Sequence, residues 1–262
     1  MSNPVLILAR NNLALTQRCV LSVLNQDIPT NVMVIDNGSS DLTKEWLETN
    51  PSLHWARFNP QLGVSKGWNF GLAKAFSGGA EYCLCPGNDT YLPPWSYREL
   101  LSYDQPFVTG VAVEDMKQVE EPPLRMALVP HPDFSCFLIR KSAWEAIGPF
   151  DEQMKLYSSD QDYHVRGHRR GVGMWKANMP FFHERSSTLR LASPAERAQI
   201  DAQANADRAV LKEKWGVPAG GPEYEALFSP EKFGSHSNAG SRTSSQVLVP
   251  AQPDKVSEIH KG

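Results

Sequence analysis

The run Val32-Met33-Val34-Ile35 contains no polar residue, so a strand built from it must be covered on both faces. It stops at Asp36-Asn37-Gly38-Ser39-Ser40-Asp41, a dense cluster of turn-forming residues. That unit, an apolar run closed by a polar turn and followed by a helical pattern, recurs through the first third of the chain. Residues 1–9 form a short β-rich run that breaks at Arg10-Asn11-Asn12. From Leu13 to Leu24 the apolar positions 13, 20, 21, 23 and 24 fit a helix, and Asp27-Ile28-Pro29 ends it. A second helix is expected over roughly Leu42 to Glu48, a third strand over Leu53 to Phe58 and a third helix over Gly67 to Phe76. Tyr82 to Cys85 reads as the next strand, ending at Pro86-Gly87-Asn88-Asp89.

Strands alternating with helices across short connections define an α/β fold, Rossmann-like, with a mostly parallel central sheet and helices on both faces. In such sheets ligands bind beyond the carboxyl ends of the strands. Asn11, Asp36 and Asp89 each sit just past an expected strand end, so three polar groups distant in sequence share one edge. The second half is less regular. Phe107 to Val113 and Phe134 to Ile139 read as strands, Glu114 to Pro123 as a charged loop, and Lys141 to Ile147 as a short helix. Ser193-Pro194-Ala195-Glu196 is a helix start, with serine as cap, proline in the first turn and glutamate at the third position. That helix is expected to run to about Trp215 and stop at Gly216. The domain therefore spans 1–228. Residues 229–262, rich in Ser, Gly, Pro and Lys, are expected to form a flexible or loosely docked tail.

Composition narrows the function. With 41% hydrophobic residues the chain can bury a real core, and a net charge of −3 argues against a protein built to grip nucleic-acid backbone. The apolar run Val5 to Ala9 is far too short for a signal peptide or a membrane span, which points to the cytoplasm. Cys19, Cys83, Cys85 and Cys136 lack the partners of a zinc site, and Cys83 and Cys85 read as small buried hydrophobes on a strand.

Taken in order, several segments resemble family 2 glycosyltransferases, enzymes of the GT-A fold. VLILARNNLALTQRCVLSVLNQ followed by VMVIDNGSSDLTKEWL is similar to their opening, and NPQLGVSKGWNFGLAKA to the next block. PGNDTYLPPW resembles the metal-binding Asp-x-Asp region, and FLIRKSAWEAIGPFDEQMKLYSSDQDYHVRGHRRG the acceptor-side block. FFHERSST and KEKWG are similar to the closing elements, and the chain resembles the rhamnosyltransferase-like members of the family. The resemblance implies a nucleoside-diphosphate sugar as donor, Mn²⁺ or Mg²⁺ as cofactor and an inverting displacement. It places Ala9, Asn11 and Asp36 at the nucleoside, with Asn69 and Asn88 near them and Asp41 fixing the loops. It makes Asp89 and His183 the metal ligands, and Asp160 the base with Asp162 as its rival.

Two positions depart from the family pattern: Gly87 stands where the first metal carboxylate would be, and Ser159 where a glutamate would precede Asp160. They keep a second reading open, a catalytically degenerate module of the same fold that holds nucleotide or sugar without turnover. A sugar-phosphate nucleotidyltransferase is disfavoured, because Ala9-Arg10-Asn11-Asn12 has no glycine-rich phosphate loop, and no G-x-G-x-x-G follows the first strand. Taken alone, each residue has a plainer role: Asp41 as a cap, Asp89 in a turn, His183 as a bonded core histidine, Asp160 and Asp162 in surface ion pairs. Their occurrence together and in order favours chemistry. The acceptor is open among protein, glycan and nucleic-acid base.

Overall fold

The computed structural model describes residues 3–119, 128–129, 132–184, 190 and 192–228, with backbone only at 128–129. The expected tail 229–262, residues 120–123 of the charged loop and residues 185–188 of the closing motif lie outside the described residues. The first half alternates as its sequence pattern requires: β1 (Pro4–Ala9), α1 (Leu13–Leu24), β2 (Asn31–Asp36), α2 (Thr43–Glu48), β3 (His54–Arg57), α3 (Val64–Ser77) and β4 (Tyr82–Pro86). There follow β5 (Thr90–Tyr91), α4 (Ser96–Ser102), β6 (Phe107–Val113), β7 (Leu128–Val129), β8 (Cys136–Arg140) and α5 (Lys141–Ile147). α6 (Ser159–Arg169), β9 (Met174–His183), α7 (Pro194–Trp215) and α8 (Gly221–Glu225) complete the described chain.

The strand order is β3-β2-β1-β4-β8-β6-β9-β5, with β7 also on β9. β3, β2, β1 and β4 are parallel throughout. The second half is mixed: β8 runs antiparallel to β4 and β6, β9 lies parallel to β6, and β5 and β7 run antiparallel to β9. The fold is thus α/β with helices on both faces. Side chains alternate along each strand, so Val5, Ile7 and Val34 pack with Cys19 and Val23 of α1, Leu47 of α2 and Tyr97 of α4. Leu6, Ile35, Cys83 and Cys85 face the other way, against Leu72 and Phe76 of α3, Ile147 of α5 and Tyr163 of α6. All four cysteines are buried thiols, as their placement on apolar runs suggests.

Two glycines set how near α3 lies to the sheet. A Cβ at Gly67 would come within 2.4 Å of Leu8 and one at Gly71 within 2.3 Å of Leu6, closer than side-chain carbons approach one another. α7 begins and ends where its sequence signals place it. Ser193 and Glu196 form a reciprocal capping box, and Gly216 closes the helix in the left-handed region. Beyond it, Tyr224 and Leu227 pack with Val165 of α6, and Phe228 stacks on His164 at 4.2 Å.

Candidate active site

The carboxyl ends of β1 and β2 are fastened to each other by their own polar turns. Asn11, at φ 56, accepts from the Ser40 amide at 2.7 Å and donates its own amide to Ser39 Oγ at 2.8 Å. Asp36 is fully buried; one oxygen accepts the Ser39 amide and the other pairs with the Arg57 guanidinium. Asp41 accepts the Leu13 amide at 3.0 Å and the Thr43 amide at 3.1 Å, so one carboxylate caps both α1 and α2. Ala9 is in the core, and its carbonyl accepts from Asn37. Asn69 bonds in both directions to the Phe150 backbone, and Asn88 donates to Thr16 Oγ1 at 3.0 Å. Of the residues expected at the nucleoside, Asn11 alone lines the large cavity at this edge.

That cavity holds about 660 Å³. One wall is Arg10, Asn11 and Ser40 from the strand-end loops, the next is Gln61 to Gly63 with Lys66 at the start of α3, and the third is Lys155 and Leu156. Gln199, Ile200 and Gln203 of α7 close it. The lining is polar, with five amides, the cations Arg10, Lys66 and Lys155 and the carboxylates Asp41, Glu152 and Glu196, suited to a ligand rich in hydrogen-bonding groups. Arg10 also keeps a buried Nε without a hydrogen-bond partner among the described residues. Sequence reading missed Arg10, Gln61, Lys155 and the α7 glutamines. Arg10 was within reach, as the cation directly after the first strand; the α7 residues arrive only through tertiary packing.

Asp89 and His183 are brought together by the pairing of two edge strands. β5 lies antiparallel on β9 with Thr90 opposite His183, and His183 Nε2 stands 3.4 Å from Asp89 Oδ1. Among the described residues the other ring nitrogen is buried without a hydrogen-bond partner. Octahedral ligands at about 2.1 Å from a small divalent ion are about 3.0 Å apart, so this pair fits two adjacent positions of one ion. Among the described residues no third His, Cys, Asp or Glu joins them. Gly87 explains why: a Cβ there would stand 2.9 Å from Asp89 Oδ1 and 3.3 Å from the Ser135 carbonyl. The ground that a first carboxylate would occupy is crowded by the second.

Asp160 and Asp162 share the first turn of α6 but not a role. Asp162 is fully buried, accepting from Arg166 Nε at 2.8 Å and Trp215 Nε1 at 3.0 Å, with Lys214 Nζ at 2.9 Å. Asp160 is half-buried, and no side-chain donor reaches its carboxylate among the described residues. Burial raises its pKa above the usual carboxylate value; the Gln161 amide and its own offset part of this, and the Asp133 carboxylate adds to it. A carboxylate so placed holds a proton better than an exposed one, as a general base requires.

Residues 5–127 match the profile of the family described as glycosyl transferase family 2. That stretch, rather less than half of the chain, is similar to the family 2 glycosyltransferases. No protein of curated function matches the sequence. Among solved structures, TarS of S. aureus in complex with UDP superposes with a TM-score of 0.52 at 16% identity, covering 83% of this chain and 72% of that one. TarS with UDP-GlcNAc gives 0.53 at 13% identity, over 87% and 78%. GalNAc-T7 with UDP, GalNAc and Mn²⁺ gives 0.60 at 14% identity, over 87% of this chain and 53% of that one. At such identities the likeness shows the shared fold.

Proposed function

We propose that the protein transfers a sugar from a nucleoside-diphosphate donor to an acceptor hydroxyl, with a divalent ion at Asp89 and His183 and with Asp160 as base. The observation that carries the reading is the 3.4 Å pairing of Asp89, just past β4, with His183 at the end of β9, in a sheet that also has a polar cavity at the carboxyl ends of β1 and β2. The cavity takes the nucleoside, with Asn11 and Ser40 on one side and Gln61 on the other. Asp36, Asp41, Asn69 and Asn88 act by fixing the loops that shape it. A bound Mn²⁺ or Mg²⁺ would neutralise charge growing on the diphosphate leaving group. Asp160 takes the acceptor proton as the hydroxyl oxygen attacks the anomeric carbon and the bond to the diphosphate breaks. Asp162, with its oxygens committed to Arg166, Trp215 and Lys214, leaves Asp160 as the base. One carboxylate on the acceptor side fits direct displacement, hence inversion.

Similarity to rhamnosyltransferase-like members puts nucleotide-activated rhamnose first in a donor screen, with UDP- and GDP-sugars beside it. The screen reads nucleotide release by mass spectrometry with Mn²⁺ present, and proton NMR of the product's anomeric centre tests inversion. Retention of configuration would sink the displacement mechanism. A second reading, a binding module without turnover, draws on the two-residue metal site. Tight nucleotide binding with no release from any donor would favour it.

A further inference from the structure

Asp207 is fully buried midway along α7, and the chemistry proposed above makes no use of it. Its carboxylate accepts four hydrogen bonds. Three come from consecutive backbone amides, Lys155 at 3.0 Å and Leu156 and Tyr157 at 2.8 Å. The fourth comes from Gln203 Nε2, one turn earlier on α7, at 2.8 Å. A carboxylate that gathers three successive amides fixes the backbone that bears them, because moving the segment strands several donors at once.

The segment it fixes has two ends that matter. On one side the Lys155 carbonyl accepts from the Val64 amide and the Met154 carbonyl from Ser65 Oγ, both at 2.5 Å. Lys155 and Leu156 thereby form part of the large cavity's wall, as does Gln203 itself. On the other side Ser158 stands at φ 63, a left-handed conformation that a serine keeps only when its neighbours are held. The Ser158 carbonyl accepts the Asp162 amide and so opens α6, with Asp160 in its first turn.

We propose that Gln203 and Asp207 are positioning residues of the active site, tying the cavity wall to the loop that carries Asp160 so that donor occupancy and base placement are coupled. The proposal rests on reading the cavity as the donor site and Asp160 as the base. Ligand in the cavity meets Gln203, Lys155 and Leu156 together, and all three are bonded to one carboxylate. Asp207 touches neither reactant; it acts through the loop.

The test compares the full-length protein with Asp207→Asn, Gln203→Ala and, as a control on the exposed side of the same helix, Asp201→Asn. Amide hydrogen exchange is followed over residues 154–162, with and without UDP or GDP in the presence of Mn²⁺. Asp207→Asn is expected to speed exchange there about tenfold or more, the loss of one buried hydrogen bond sufficing for that, while β1 and β2 stay protected. In the wild type, nucleotide slows exchange over 154–162, and in Gln203→Ala it does so less. For donor hydrolysis, kcat falls more than KM rises, and the acid limb of the pH profile moves; Asp201→Asn moves neither. If Asp207→Asn does not fold, Gln203→Ala decides the matter. Unchanged exchange over 154–162 in the folded variants, or an activity loss matched by the unfolded fraction with an unmoved pH profile, overturns the proposal. Wild-type protein that hydrolyses no donor would refute the proposed function instead, and the exchange data would still decide whether the strut exists.

Discussion

The two halves of the sheet edge treat their polar residues differently. On the β1–β2 side Asp36, Asp41 and Asn69 have their side-chain oxygens and amides committed to nearby backbone or to Arg57. On the β9–α6 side, among the described residues, His183 Nδ1 is buried without a hydrogen-bond partner and Asp160 takes only backbone amides as hydrogen-bond donors. The first half builds the walls of a site. The second half carries groups whose hydrogen bonding is incomplete among the described residues, as the proposed chemistry needs. A motif's acidity alone therefore does not mark chemistry; what matters is whether the carboxylate is already satisfied.

The sharpest way to break this contrast is to compare Asp160 with Asp162. Asp160→Asn is expected to cut kcat by about 10²–10⁴-fold, the range for losing a general base. It should also leave the melting temperature equal or higher. The raised pKa of Asp160 contributes stability only at low pH, and that contribution is lost as pH rises through the folded value, so removing the charge helps at neutral pH. For the same reason wild-type kcat falls as pH drops through this raised pKa, above the range of an ordinary aspartate. A pH-rate profile and thermal melts across pH check both signs. Asp162→Ala reverses the pattern: it strands Arg166, Lys214 and Trp215 and costs about 3–5 kcal/mol of stability, measured by urea unfolding. A stable, inactive Asp162→Ala would exchange the two roles.

Next in size is the metal. Asp89→Ala is expected to reduce kcat by about 10²–10³-fold, comparable to losing one strong electrostatic stabiliser of the transition state. Chelator lowers wild-type turnover in the same way, and full activity in chelator would remove Asp89 and His183 from the chemistry. Smaller still, Asp41→Ala costs about 1–2 kcal/mol by uncapping α1 and α2, with kcat unchanged per folded molecule. Loss of activity out of proportion to unfolding would move Asp41 from wall to chemistry. The smallest effect belongs to a chain ending after Phe228. It retains the Tyr224 and Phe228 contacts to α6, and its donor turnover is expected near the native rate.

The same division governs what could be read from sequence. The parallel half was largely legible, because β1, β2 and β4 are built on apolar runs closed by evident turns, β3 (His54–Arg57) being the exception; α1 spans Leu13–Leu24 in both readings. In the second half α6 carries no such signal. Its polar and charged residues Ser159, Asp160, Gln161 and Asp162 open a helix that Tyr163 and Val165 anchor in the core. β5, of two residues, exists only through its pairing with β9, so the approach of Asp89 to His183 is a long-range fact. The choice between Asp160 and Asp162 likewise turned on Trp215 and Lys214, more than fifty residues further on.

Gly67 and Gly71 act as a shim whose thickness is zero. Because they let α3 rest directly on Leu8 and Leu6, the first turn of that helix sits low. Gly63 and Lys66, at the start of that helix, line the cavity. An alanine at either position would set its methyl group against a leucine of β1, so that either the leucine turns or the helix shifts from the sheet. How closely the helix lies against the sheet is thus set from its buried side, by two residues that do not themselves line the cavity.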